Sequence, residues 1–135
     1  VKYKIPNSNI IADEDGVGGG VVDNLGIKGF VNNSKPIREN NFQNLKTQCY
    51  YRYAKRVNEG GIYFSCEIST TQKEIIIEEH EQIKSYNSDS DGKLRIIPKA
   101  QVKQNIGHSP DYTDALMMRE WFELNAGGRV DWSVI

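Results

Sequence analysis

Phe42, Leu45, Cys49, Tyr53 and Val57 recur at steps of three and four, the period of one helical face. They predict a helix over 41–58, ended by Gly60-Gly61. Its solvent flank carries Gln48, Arg52 and Lys55, with Tyr51 beside them. A second helix is predicted over 70–86, capped by Thr70 or Thr71, with Ile75, Ile76 and Ile83 inward. Short apolar runs bounded by turn residues predict strands at 9–12, 29–31, 62–64 and 94–97. Residues 16–26 read as a glycine-rich loop opening a short helix that Gly26 closes, so the first run starts a strand–loop–helix unit. Residues 32–41 are polar loop and 87–92 a turn. A short helix over 99–105 stops at Gly107. Ser109 as N-cap, with Pro110 at the first position, starts a last helix running to about Leu124. Residues 126–135 carry no assignable pattern and are expected to form a loose tail. Strands interleaved with helices place the chain in the α/β class, as one domain over 1–135.

Composition adds exclusions. With 38% hydrophobic and 26% charged residues the chain has the make-up of a globular domain, long enough to bury roughly two-thirds of its unfolded surface. No apolar run approaches the ~18–20 residues of a membrane span, and no signal-peptide pattern opens the sequence, so no membrane partner is expected. Seventeen basic against eighteen acidic residues exclude a grossly basic protein and leave room for local basic faces. Cys49 and Cys66 lack metal-type spacing and read as reduced thiols. A first residue of valine suggests a piece of something longer.

Asp114 is the most informative candidate. On a wheel of about 100° per residue, Leu124, Met117, Trp121, Met118, Phe122 and Ala115 form one apolar arc with Asp114 near its middle. An unpaired carboxylate is costly to bury, so this one needs a cation, a donor set or a metal. Two readings stand: a metal ligand, or a structural acid accepting backbone N–H groups. Repulsion among clustered ligand acids would raise its pKa, whereas donors would lower it. Asp111 lies one turn earlier, where the helix dipole alone favours an acid. Asp13, Glu14 and Asp15 follow the first strand, at the end where open α/β sheets bind ligands. Carboxylates from separate elements suit a divalent metal, and a solvated acidic loop is the alternative. The glycines after them lack the Gly-Lys-Ser/Thr ending of a phosphate loop and are expected to let helix approach strand. Arg52 and Lys55 with Tyr51 suit a nucleic-acid backbone, or are the solvated side of a core helix. Lys99 and Lys103, one turn apart, could face one substrate phosphate, and His108 is a lone loop histidine.

In order along the chain, three stretches resemble the nuclease domain of phage terminase large subunits: Asp13-Glu14-Asp15-Gly16-Val17-Gly18-Gly19-Gly20-Val21-Val22-Asp23; Leu45-Lys46-Thr47-Gln48-Cys49-Tyr50-Tyr51-Arg52; and Asp91-Gly92-Lys93-Leu94 followed by Lys99, Lys103 and Gly107-His108-Ser109-Pro110-Asp111-Tyr112-Thr113-Asp114. The resemblance implies an RNase H-like mixed sheet flanked by helices. It implies a metal-dependent endonuclease that cuts concatemeric viral DNA during genome packaging, in the cytoplasm of the bacterial host. Asp13 and Asp114 would be catalytic metal ligands, with Asp111 and Asp15 beside them, holding two Mg²⁺ or Mn²⁺ ions about 3.5–4 Å apart. Arg52, Lys55, Lys99 and Lys103 would contact phosphates of double-stranded DNA. The full protein's partners would be the terminase ATPase domain and the portal or procapsid. The family's first strands, with a further metal-binding Asp, have no counterpart before Ile5. The chain is therefore expected to be part of that domain, and a non-catalytic DNA- or procapsid-binding remnant is the alternative. A general RNase H-like nuclease outside packaging is a third reading.

Overall fold

Two short strands, β1 (Ile11–Asp13) and β2 (Lys28–Phe30), lie parallel, with Ile11 opposite Lys28 and Asp13 opposite Phe30. Parallel strands need a crossover, and helix α1 (Gly18–Leu25) supplies it. The computed structural model describes residues 4–15, 18–86 and 91–126. Gly16 and Val17 of the glycine-rich loop, residues 87–90 of the expected turn and residues 127–135 of the expected tail lie outside that range. Ile10 and Ile11 are both half-buried, and α1 and β1 pack together as a strand–loop–helix unit should. Gly26 closes α1 with a φ of +58°, the left-handed conformation glycine adopts without cost.

The close approach expected of the glycines occurs at Gly18. A Cβ there would stand 1.5 Å from the backbone oxygen of Asp13. Gly18→Ala should therefore push the start of α1 off the end of β1 and cost about 1–3 kcal/mol, read from the urea midpoint. An unchanged midpoint would mean that this approach is looser than described.

The long central helix α2 spans Leu45–Asn58 and begins four residues later than its periodicity predicts. Asn44 is the reason: its side chain accepts the Thr47 N–H at 2.9 Å and caps the helix there. Phe42, outside the helix, forms a single parallel bridge with Leu94. Leu45, Cys49 and Tyr53 are buried as expected, whereas Val57 is exposed. Gln48, expected on the solvent flank, is wholly buried, its amide bonding both the N–H and the C=O of Ile37 at 2.8 Å. Tyr51 is half-buried against the Phe42 ring rather than exposed.

Helix α3 covers Thr70–Gln82, capped by Ser69 in a reciprocal box with Gln72, not by Thr70 or Thr71. It stops short of 86 because Ser85 turns to an antiparallel bridge with Ile96. Ile76 is buried and Ile75 and Ile83 are half-buried. The expected strand at 94–97 is reduced to the bridges at Leu94 and Ile96. The expected strand at 62–64 does not form: no strand partner pairs with it among the described residues, and Tyr63 and Phe64 stand 76% and 45% exposed. Helix α4 (Lys99–Ile106) closes at Gly107, φ +80°, as predicted.

The last helix is two. α5 (Asp111–Met118) and α6 (Glu120–Asn125) are separated at Arg119, where the Phe122 N–H shifts to a tighter bond with the Arg119 carbonyl. The cap of α5 is Pro110, not Ser109. Pro110 offers no side-chain acceptor, and the buried Glu79 of α3 takes that part, accepting the Thr113 N–H at 2.8 Å.

The core joins Phe30, Leu45, Cys49, Tyr50, Met117 and Leu124, with α2 packed against both α5 and α6. Full burial of each large side chain contributes about 1.5–3 kcal/mol. No helix among the described residues is long and apolar enough to cross a membrane.

Candidate active site

α5 packs against α2 on one side and β1 on another, which sets Asp114 between the acids after β1 and the N-terminal half of α2. Asp114 is buried, as its place in the apolar arc requires, and three donors meet it. The Tyr50 hydroxyl donates to Oδ1 at 2.6 Å, and the Lys46 ammonium lies 2.9 Å from the same oxygen. The Lys99 ammonium donates to Oδ2 at 2.6 Å. Burial pushes the Asp114 carboxyl up. The Lys46 charge and the hydrogen bonds from Lys99, Tyr50 and Lys46 outweigh it and hold the carboxyl below its usual range. Asp114 is thus a charged acid at neutral pH, without the raised pKa of a repelling cluster. The Tyr50 phenol is pushed far up, first by burial and then by the Asp114 charge, so it remains a donor.

Asp13 ends β1. Its Oδ1 accepts the Asp15 N–H at 3.0 Å and the Asn32 amide at 3.2 Å. The same Asn32 amide donates to Asp15 Oδ2 at 2.6 Å, and the Asn32 backbone N–H donates there at 3.0 Å. Asn32, just past β2, therefore ties both acids to the second strand. Glu14 turns away and lies over Gly29, where a Cβ would come 1.9 Å from its carboxylate.

Burial disfavours the Lys99 ammonium, yet its hydrogen bond to Asp114 and the charges of Asp114, Asp111 and Asp13 raise its pKa on balance. Asp111 is exposed at the first turn of α5. Carboxylate oxygens are the donors that Mg²⁺, Mn²⁺ and Ca²⁺ take, so the chemistry of the set fits such an ion. Among the described residues no three side chains of ligand type stand close enough together to hold one as they are.

The basic candidates divide. Lys99 is on Asp114, while Lys103 is exposed one turn further along α4. Arg52 and Lys55 belong to another cluster, at the C-terminal half of α2. Arg52 Nε lies 3.8 Å from the wholly buried Glu120, and Lys55 lies 3.9 Å from Glu59. Arg56 grips Glu120 through two bonds of 2.7 and 3.0 Å. His108 is exposed and lies 3.4 Å from Glu78. Both cysteines are free thiols, and burial pushes the Cys49 thiol up to about 12.

Sequence reasoning missed Lys46, Tyr50 and Asn32. The first two stand four apart on α2, so they share a face, and that spacing was the available signal. Asn32 carried none.

Neither a family model nor a curated protein sequence matches the chain. Solved structures do. The nuclease domain of the large terminase subunit of bacterial virus Sf6 aligns with a TM-score of 0.65 and 25% identity, over 81% of this chain and 63% of that one. The fold is that of a phage terminase nuclease domain. A mutant of the Sf6 domain with manganese aligns equally well, at 25% identity and a TM-score of 0.65 over the same shares. A mutant of the Sf6 large subunit with calcium does the same. The chain spans less than two-thirds of the length of these terminase structures. The terminase fold is mixed α/β and RNase H-like, the class expected from the sequence.

Proposed function

We propose that the chain is the metal-dependent endonuclease module of a phage or prophage terminase large subunit, cutting concatemeric double-stranded DNA during packaging. The observation that carries this reading is a terminase nuclease fold in which α5, bearing Asp114, packs against β1, which Asp13 ends. The Sf6 structures with manganese and with calcium support a divalent ion. Asp13 and Asp114 would hold two Mg²⁺ or Mn²⁺ ions, with Asp111 and Asp15 adjacent. Such ions, when bound, activate water and stabilise the leaving oxygen of a phosphodiester. The chain's own side chains do the rest. Asp114 is kept charged by its donors, and Asn32 fixes Asp13 and Asp15. Lys99, Lys103, Arg52 and Lys55 neutralise phosphates without reading bases. The ATPase domain and the portal or procapsid are the partners of the full protein, in the host cytoplasm.

A second reading, a non-catalytic DNA- or procapsid-binding module, draws on the saturation of Asp114 by two ammonium groups and a phenol. Conversion of supercoiled plasmid by the purified chain in Mn²⁺ separates the two. Cutting that falls at least ~100-fold in both Asp13→Asn and Asp114→Asn is expected, the usual scale for losing a group of the catalytic apparatus. Cutting that survives Asp114→Asn defeats the proposal, and DNA retention without any cutting favours the second reading.

A further inference from the structure

Three cations on the C-terminal half of α2, Arg52, Lys55 and Arg56, line a surface cavity of about 170 Å³ together with Glu59. They are not equally committed. Arg56 gives two hydrogen bonds to the buried Glu120. Arg52 comes second to the same carboxylate, its Nε buried 3.8 Å away with no hydrogen bond. Lys55 and Glu59, 3.9 Å apart, are both mostly exposed, and such a pair holds its charges weakly. The Arg52 guanidinium and the Lys55 ammonium are therefore left for an anion from outside. Lys55 stands nine residues after Lys46, half a turn round α2 at about 100° per residue. The cavity thus opens on the side of the helix away from Asp114, which Lys46 faces.

An aromatic surface adjoins it. Tyr51, the ring expected beside these cations, packs against Phe42 instead, and Tyr63 takes its place. Gly60, at φ +69°, turns the chain out of α2, and Gly61 lies against Arg56. The Gly61 N–H donates to the Arg56 carbonyl at 2.8 Å, and a Cβ there would come 2.9 Å from Arg56 Cγ. Tyr63 follows two residues later, within about 7 Å of Gly61 even in a fully extended chain. Its side chain is 76% exposed, more than any other large hydrophobic among the described residues, and Phe64 beside it is 45% exposed. Wetted rings next to cations are what unpaired nucleotides use, since bases stack on aromatic faces while the backbone follows positive charge. A duplex can use only the charge, because its bases already stack on one another.

We propose that Tyr63 and Phe64, with Arg52 and Lys55, form a binding site for single-stranded nucleic acid. Phosphates enter the Arg52–Lys55 cavity and a base stacks on Tyr63. The site is additional to the nuclease reading and needs no metal.

The test is fluorescence anisotropy in EDTA with labelled oligo(dT), oligo(U) and a duplex of the same length, for the unaltered chain, Tyr63→Ala, Tyr63→Phe and Lys55→Gln. Tyr63→Ala should bind the single strands at least ~5-fold more weakly, the loss of one stacked base, and the duplex unchanged. Tyr63→Phe keeps the ring face and should bind as the unaltered chain does. Lys55→Gln should lower the salt slope of single-strand binding by about 0.7, the share of one phosphate. The tighter of oligo(dT) and oligo(U) identifies the strand as DNA or RNA. Equal single-strand affinity of Tyr63→Ala and the unaltered chain overturns the proposal. An equal loss on the duplex, or no single-strand binding by the unaltered chain, overturns it too. Plasmid cutting in Mn²⁺ is read separately, so the nuclease reading stands or falls on its own.

Discussion

Arg56→Met should destabilise the protein by about 3–5 kcal/mol, a large share of the roughly 5–15 kcal/mol that holds a domain together. The partner of Arg56 decides the magnitude. Glu120 is 0% exposed, and Arg56 supplies both of its short bonds, at 2.7 and 3.0 Å. Arg52 and Arg119 remain at 3.8 Å, near enough for partial compensation, which places the expected loss toward the lower end. Chemical denaturation of the single variant and of Arg56→Met/Glu120→Leu checks the cause. Removing both charges should recover most of the loss, because the cost lies in stranding a buried carboxylate rather than in losing an attraction. A single variant as stable as the parent would show that the two other guanidinium groups suffice.

Asp114→Asn should cost about 1–3 kcal/mol at pH 7 in metal-free buffer, since the amide keeps an acceptor for Tyr50 but gives up the charge facing Lys46 and Lys99. The sign of its pH dependence follows from the lowered carboxyl. The folded state binds the proton less readily than the unfolded chain, where an aspartate titrates near ~3.9. The stabilisation by Asp114 is therefore complete above the unfolded value, shrinks as pH falls below about 4, and is gone once the folded carboxyl protonates. Urea melts of parent and variant between pH 7 and pH 2.5 should converge at the acid end. Curves that stay equally far apart throughout would place the stabilisation elsewhere than on the Asp114 charge.

What was legible in the sequence was set by local chemistry. Gly107 after Ile106 ends α4 because a left-handed glycine acts on its own backbone. Asp114 stood out because a carboxylate inside an apolar arc must find donors, and it has them. The identity of those donors was hidden. Lys46 and Gln48 are polar residues on a helix whose solvent side is defined by polarity, yet one faces a buried acid and the other replaces backbone partners for Ile37. Periodicity sorts residues by type and cannot see a partner brought in from another element. The run at 62–64 failed for the same reason, since a strand exists only where another strand accepts its bonds. The break at Arg119 left no mark either, because Arg119 keeps helical angles and the change is a shift of one hydrogen bond.

The bonds that tie α2 to α5 and α6, Tyr50 to Asp114 and Arg56 to Glu120, each reach across 64 residues. On a ribosome, Tyr50 and Arg56 emerge long before their partners are made. Until then Leu45, Cys49 and Tyr50 lack the cover that Met117 and Leu124 later provide. Contacts of such long range also carry the larger loop-closure entropy and form slowly. The acid pocket is thus closed only once α5 has been made, and a translation product ending before residue 114 lacks the carboxylate that Tyr50, Lys46 and Lys99 hold.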